Sequence, residues 1–376
     1  MAISWQKIII VIILSYYIGG AIVHATTINQ GISQHKIILG MSNALTGPTA
    51  QLGIELKQGA LAYFHQLNLQ GGIEDRQIEV ISLDDGYEPI NTVANTRKLL
   101  STDHVFALFG YIGTPTSFEI LPFIKQSGIP FLMPFTGAEF LRNPVINNVF
   151  NLRASYYQEA KAQIDYFVND LKIKKIGLLI QADKFGLAVE QGLLIALKSH
   201  HLKPVITTRY KRNTDDISVA LAKLHQSAVQ GVSFVGTYQP LSEIINLGYQ
   251  HNFKPVYGTV SFVSSSNLYQ RLKYPSQVFS TEVVPEPNHC SSSICEAFKQ
   301  AMQATGITRF TRVQYEGYLN AYVFAEAAKL CKRALTRACL IGKLTHLSLP
   351  LPDLPIQFSP EKHQGLDKIY FSIYQP

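Results

Sequence analysis

The sequence predicts an α/β protein made of two doubly wound lobes with parallel-type sheets, and three observations carry that prediction. Short apolar runs of strand length alternate with stretches whose apolar residues recur at helical spacing. Turns rich in glycine, proline and aspartate separate them, and the whole alternation starts afresh near residue 150. The chain has 376 residues, 47% hydrophobic and 16% charged, so it is long enough for more than one core.

Residues 1–25 carry one lysine, then apolar runs over 8–14 and 16–23, then Val23-His24-Ala25, a small-x-small sequence. They read as a cleaved secretory signal peptide, with an uncleaved membrane anchor as the alternative, because the apolar run falls slightly short of the roughly 20 residues that a membrane-spanning helix needs. Export places the four cysteines where disulfides persist. Cys290 and Cys295 share a Ser-rich loop while Cys331 and Cys339 flank a helix end, so two short-range bridges are the simplest of three possible connectivities.

Residues 36–41 are predicted as the first strand and 43–48 as a turn. A helix over 54–67 follows, with Leu56, Ala60, Phe64 and Leu67 on one face and Gly71-Gly72 at its end. Residues 77–83 alternate as a strand, and Asp84-Asp85-Gly86-Tyr87 with Pro89 turns the chain into a helix over 90–100. Paired acids beside a glycine serve to satisfy backbone amides in a turn. The apolar run 105–109 is the next strand; the glycine-containing loop 110–116 opens a helix at Thr114-Pro115, where Thr114 reads as the N-cap and Thr116 with Glu119 as an alternative capping box. A short strand and a second polar turn over 134–138 complete this stretch.

The alternation then repeats. After 149–153, helices are predicted over 157–171, 185–200, 217–228 and 241–251, and strands over 175–180, 204–209 and 231–235. Beyond Pro255 the chain reads as loop-rich, with a strand over 278–284, a Pro-and-Cys loop and a long helix over 315–331. In parallel sheets the ends of neighbouring strands open on one edge, so the loops 110–116 and 134–138 can hold one ligand between them. Free amides at a helix N-terminus together with a threonine hydroxyl suit a carboxylate or another strongly polar group.

Catalytic signatures are missing: the sequence has no GxSxG elbow, no HExxH and no P-loop. His289 beside Cys290 has no second Cys/His pair at the spacing of a structural zinc site, so no metal or other cofactor is expected. The 33 basic and 26 acidic residues give a mild, dispersed net charge of +7, without the arginine–aromatic interleaving that marks nucleic-acid binding.

A family resemblance then emerges from a series of motifs in order: Thr46-Gly47-Pro48; Asn68 with Gly71-Gly72-Ile73; Asp84-Asp85-Gly86-Tyr87 with Pro89; and Gly110 to Thr114. It continues with Pro134-Phe135-Thr136-Gly137-Ala138-Glu139, Asn151-Leu152-Arg153-Ala154-Ser155-Tyr156 with Glu159, and Phe358-Ser359-Pro360 with His363 and Gly365. Together they resemble the type I periplasmic binding proteins, and within them the leucine/isoleucine/valine-binding branch that serves ABC importers. The resemblance implies two lobes joined by three hinge crossovers, residues 36–154 plus 282–350 in the first and 155–281 plus 351–376 in the second. It implies a non-enzymatic, monomeric periplasmic receptor that captures a small ligand in the interlobe cleft and delivers it to a membrane permease. A sensor of the same fold, regulating a partner without transport, is the alternative.

By position, Thr114 matches the hydroxyl that takes a ligand carboxylate, beside main-chain groups at Phe135 and Gly137, with Thr136 between them. Phe185 and Tyr238 fall where aromatics of the second lobe cover the ligand, Leu52 where the first lobe touches its side-chain end, and Tyr156 joins the set with hinge packing as its other reading. One departure stands out. The family's amino-acid binders place a glutamate near the turn after Gly258 to hold the ligand ammonium, whereas this chain reads Thr259-Val260-Ser261-Phe262-Val263. A buried ammonium without a partner is costly, so a carboxylate lacking an amine, an amide or an aromatic acid fits as well as an amino acid.

Overall fold

The computed structural model describes residues 31–214 and 217–376; the expected signal peptide lies outside them. The first sheet is assembled from β1 (Lys36–Asn43), β2 (Gln77–Asp84), β3 (Ala107–Phe109), β4 (Phe131–Leu132) and β5 (Val149–Phe150), in the order β2-β1-β3-β4-β5 and parallel throughout. Helices α1 (Ala50–Leu69), α2 (Pro89–Ser101) and α3 (Thr114–Ser127) make the crossovers. Both faces of such a sheet are covered, which is why its central strands read as continuous apolar runs rather than alternating ones.

The chain crosses to a second lobe at residues 151–155. There α4 (Tyr156–Asp165), which ends in a π-turn over Tyr166–Asp170, leads into β6 (Ile176–Gln181), α5 (Lys184–Ser199), β7 (Thr207–Tyr210) and α6 (Ser218–Gln226). β8 (Gly231–Val235), α7 (Tyr238–Gln250), β9 (Val256–Thr259), α8 (Ser265–Tyr269) and β10 (Val278–Glu282) complete the lobe's main run. The chain returns to the first lobe for α9 (Ser293–Ala304), α10 (Arg312–Lys329), α11 (Arg337–Thr345) and the hairpin of β11 (Ser348–Leu349) and β12 (Ile356–Gln357). β13 (Tyr370–Ile373) then joins the second sheet as its antiparallel edge, giving the order β13-β10-β9-β8-β6-β7.

Two parts differ from the expectation. Residues 351–366 do not belong to the second lobe, because Leu354, Ile356, Phe358 and Leu366 are buried in the first lobe's core; only the stretch around β13 crosses back. The Pro-and-Cys loop contains α9, whose Ile294, Cys295, Phe298, Ala301 and Met302 form a buried face at helical spacing. Both short-range disulfides are present, Cys290 with Cys295 and Cys331 with Cys339, at either side of this added layer.

The first lobe is held by backbone contact between α1 and α10. A Cβ on Gly59 would lie 1.8 Å from the Gln314 carbonyl oxygen, and one on Gly317 would lie 2.1 Å from that of Leu56, so these helices can approach only through glycine. Gly59→Ala is therefore expected to destabilise the protein by about 1–3 kcal/mol, since overpacking against backbone cannot relax by a rotamer change; chemical denaturation measures it. Glu282, at the end of β10, is buried, and burial pushes its carboxyl up to about 7 despite Arg312 at 3.9 Å. A raised acid stabilises the fold below its unfolded value near 4.5 and loses that contribution as pH rises through about 7. Glu282→Gln should thus gain in melting temperature relative to the parent between pH 5 and pH 8, Arg312 keeping Glu286 at 2.9 Å as its partner.

Candidate functional site

The site begins where β3 stops. Gly110 and Gly113 both take positive φ, 59° and 108°, and a Cβ on Gly113 would lie 2.4 Å from the Tyr87 ring. Gly113 is the N-cap of α3, and Thr114 and Pro115 are its first helical residues. The expectation that Thr114 caps the helix is therefore corrected, and so is the Thr116–Glu119 box, because the Thr116 hydroxyl donates back to the Ile112 and Gly113 carbonyls. Freed from capping, the Thr114 hydroxyl lies 2.7 Å from Thr136 Oγ1 and donates to the Tyr156 hydroxyl at 3.4 Å. All three side chains are buried.

The loop 134–138 is fixed from below. Arg142 donates to the carbonyls of Ala138 (2.9 Å), Thr136 (3.0 Å) and Arg153 (3.0 Å), and to the Gln364 side chain (2.9 Å). Burial lowers its pKa to about 10, which still leaves it charged at neutral pH. The Arg153 guanidinium lies 3.9 Å from the Phe135 ring centre and forms a buried two-point pair with Glu316 of α10, at 2.9 and 3.0 Å. The main chain of Phe135 is not available to a ligand as expected: its N–H donates to Tyr111 at 2.7 Å and its carbonyl accepts from Gly113 at 3.3 Å. Phe135 presents a ring instead. The Gly137 carbonyl accepts from Tyr156 N–H at 2.8 Å, while its own N–H has no acceptor among the described residues. A Cβ there would meet the Tyr156 ring at 2.5 Å, so the position demands glycine.

From the second lobe comes a wall of rings. Phe185, just inside α5 behind the Asp183 cap, stands 5.4 Å from the Tyr156 ring and 4.6 Å from Phe262. Phe262 also meets Phe135 at 5.6 Å and Tyr87 at 5.9 Å, so it touches both lobes. It rides on a 3-10 turn, Ser261–Val263, which the buried Glu159 anchors by accepting from Ser261 N–H and Oγ and from Thr281 Oγ1 at 2.7, 3.0 and 2.8 Å. Leu52 and Tyr238 are buried in the same apolar cluster, Tyr238 beneath the Arg271 guanidinium at 4.7 Å. Tyr87, Arg142 and Phe262 are not among the site residues that the sequence indicates. The sequence flagged Tyr87 and Phe262 as neighbours of turns, but carries no local mark for Arg142.

The seam is clasped at both ends. Glu88 of the first lobe receives Arg212 and Asn213 of the second, each at 2.7 Å, and Glu55 receives Asn267 at 2.9 Å as well as Thr311 of its own lobe at 3.0 Å. Asp84 and Asp85 organise their turn as read: Asp84 accepts from the Leu45, Thr46 and Gly86 amides, and Asp85 from Ser42, Thr92 and the Tyr87 amide. A cavity of about 550 Å³ among Tyr166, Phe253, Tyr257 and Phe279 lies at the opposite, N-terminal ends of the second lobe's strands. The hydroxyl cluster lies at the C-terminal ends, where ligands of open α/β sheets bind.

Residues 36–374 match the periplasmic binding protein family. A solved structure of a possible leucine/isoleucine/valine-binding protein from Rhodopirellula baltica SH 1 is 32% identical and superposes with a TM-score of 0.84 over 92% of this chain and 95% of that one. A branched-chain amino acid ABC transporter protein from Thermus thermophilus, with valine bound, shares the fold at 17% identity, with a TM-score of 0.80 over 90% of this chain and 93% of its own. An amino acid binding protein of Pseudomonas aeruginosa is 23% identical over 229 residues, which cover 60% of this chain and 61% of that relative. The chain belongs to the periplasmic binding protein family, in the branch that contains the leucine/isoleucine/valine-binding proteins.

Proposed function

We propose that this chain is an extracytoplasmic solute receptor of an ABC importer, which captures a small carboxylate-bearing ligand between its lobes and hands it to a permease as a monomer. The observation that carries this reading is the buried hydroxyl cluster of Thr114, Thr136 and Tyr156 at the start of α3, set on the seam between two hinged lobes. Helix-terminal amides and hydroxyls bind oxygen anions without reacting with them. The Thermus neighbour, a branched-chain amino acid ABC transporter protein with valine bound, supplies the transport context, and the Pseudomonas relative is an amino acid binding protein.

In this reading Thr114, Thr136 and the Gly137 N–H take the carboxylate. Tyr156, Phe185 and Phe262 cover the remainder, and Leu52 and Tyr238 complete the apolar wall. With the lobes meeting through Phe262, the ligand enters when they part and is enclosed when they close. The clasp of Glu88 with Arg212 and Asn213 favours the closed arrangement.

A thermal-shift screen of carboxylic acids, amino acids and amides against the purified protein tests the function, since a ligand that binds the folded state raises the melting temperature by mass action. For the ligand so found, Thr114→Ala is expected to weaken affinity by about 1–3 kcal/mol, the loss of a hydrogen bond to a charged group. An unchanged affinity by calorimetry removes Thr114 from the site. Glu88→Gln should speed ligand release a few-fold in stopped-flow measurements, with little effect on the melting temperature of the free protein, because the pair is partly exposed.

A further inference from the structure

We infer that the solute is a monocarboxylate with an aryl or branched-alkyl tail and no ammonium group. This inference narrows the proposed function and rests on the seam being the solute site. The polar end of the seam is biased toward anions. The Gly137 N–H has no acceptor among the described residues, α3 begins at Thr114 with its hydroxyl against Thr136 of the same loop, and the charged Arg142 is buried under that loop with no carboxylate of the described residues within ion-pair distance. The carbonyls of Thr136 and Ala138 accept from that guanidinium, that of Gly137 from the Tyr156 amide, and those of Pro134 and Phe135 from the Thr136 and Gly113 amides, so every carbonyl of the loop already holds a donor.

The nearby acids are engaged, apart from Glu282 at the end of β10, which burial biases toward its neutral form and whose nearest cation, Arg312, stands 3.9 Å away. Glu316 is paired two-fold with Arg153. Glu159 holds three donors that fix the turn under Phe262. Asp85 accepts from Ser42, Thr92 and the Tyr87 amide. Asp183 accepts from the Phe185 and Gly186 amides and from Gln181. Redirecting any of them to a ligand would strip hydrogen bonds from buried backbone or leave Arg153 uncompensated. At the turn after β9 the chain presents to the seam the ring of Phe262, in contact with Phe135, Phe185 and Tyr87. Such a surface rewards an apolar tail and gives an ammonium no hydrogen-bond acceptor.

Matched pairs that differ only in the ammonium group test this: 3-phenylpropanoate against phenylalanine, and 4-methylpentanoate against leucine, titrated calorimetrically into the dialysed protein alongside a panel of amides, sugars and polyamines. The expected result is that at least one acid binds ten-fold or more tightly than its amino-acid counterpart and that Thr114→Ala weakens it by at least five-fold. Equal or tighter binding of the amino acid overturns the inference and leaves the receptor reading intact. So does a protein that binds only neutral or cationic members of the panel. Binding of nothing in the panel overturns both. As an independent check on the wild-type comparison, Phe262→Glu, if it retains a cooperative melt, should reverse the preference within a pair; a folded variant with unchanged preference also counts against the inference.

Discussion

The arrangement of this protein hangs on a buried ion pair. Arg153 and Glu316 are 1% and 3% exposed, and they join the first interlobe crossover to α10, the helix that packs backbone to backbone on α1. Removing one member of such a pair typically destabilises by about 3–5 kcal/mol, because the other charge is left buried alone. Here the consequence is also geometric. The Arg153 guanidinium is the bed on which the Phe135 ring lies, and its carbonyl is one of the acceptors that hold Arg142 beneath the 134–138 loop. One charged residue therefore orients the loop, the ring and the crossover.

A buried carboxyl does the same for the other lobe. Glu159, on the first helix after the crossover, reaches the turn at Ser261 and strand β10 together, so the position of Phe262 is tied to the hinge rather than to a flexible loop. The seam between the two anchors divides by chemistry: hydroxyls and amides at the start of α3, rings from both lobes across from them. That division suits capture of a molecule with one anionic end and one apolar end.

Much of this was legible in the sequence because it is local. The strand–turn–helix rhythm of both lobes followed from apolar periodicity, and the acids at 84–85 were rightly read as turn residues, since an acid beside a glycine and followed by a helix finds its donors within a few positions. Helix α9 was hidden because its first turn is written in serine and cysteine, which read as loop until the spacing of Phe298, Ala301 and Met302 is followed to its end. Thr114 was misread as a cap for a subtler reason. The sequence offered a threonine before a proline, but the left-handed conformation at Gly113 moved the cap one residue earlier and released the hydroxyl. Phe135 was credited with main-chain contacts that strand-like pairing with Tyr111 had already taken.

By itself the sequence determined the class of fold and most of the order of its elements, and it made the two short-range disulfides the simplest pairing, because these depend on residues within one helix, one turn or one loop of each other. Only the tertiary structure decided what fills the seam. The partners of Arg142, Arg153, Glu159 and Phe262 lie up to hundreds of residues away along the chain. No local pattern reports whether a buried arginine meets a carboxylate or only carbonyl oxygens, and that difference sets the sign of the field a ligand meets.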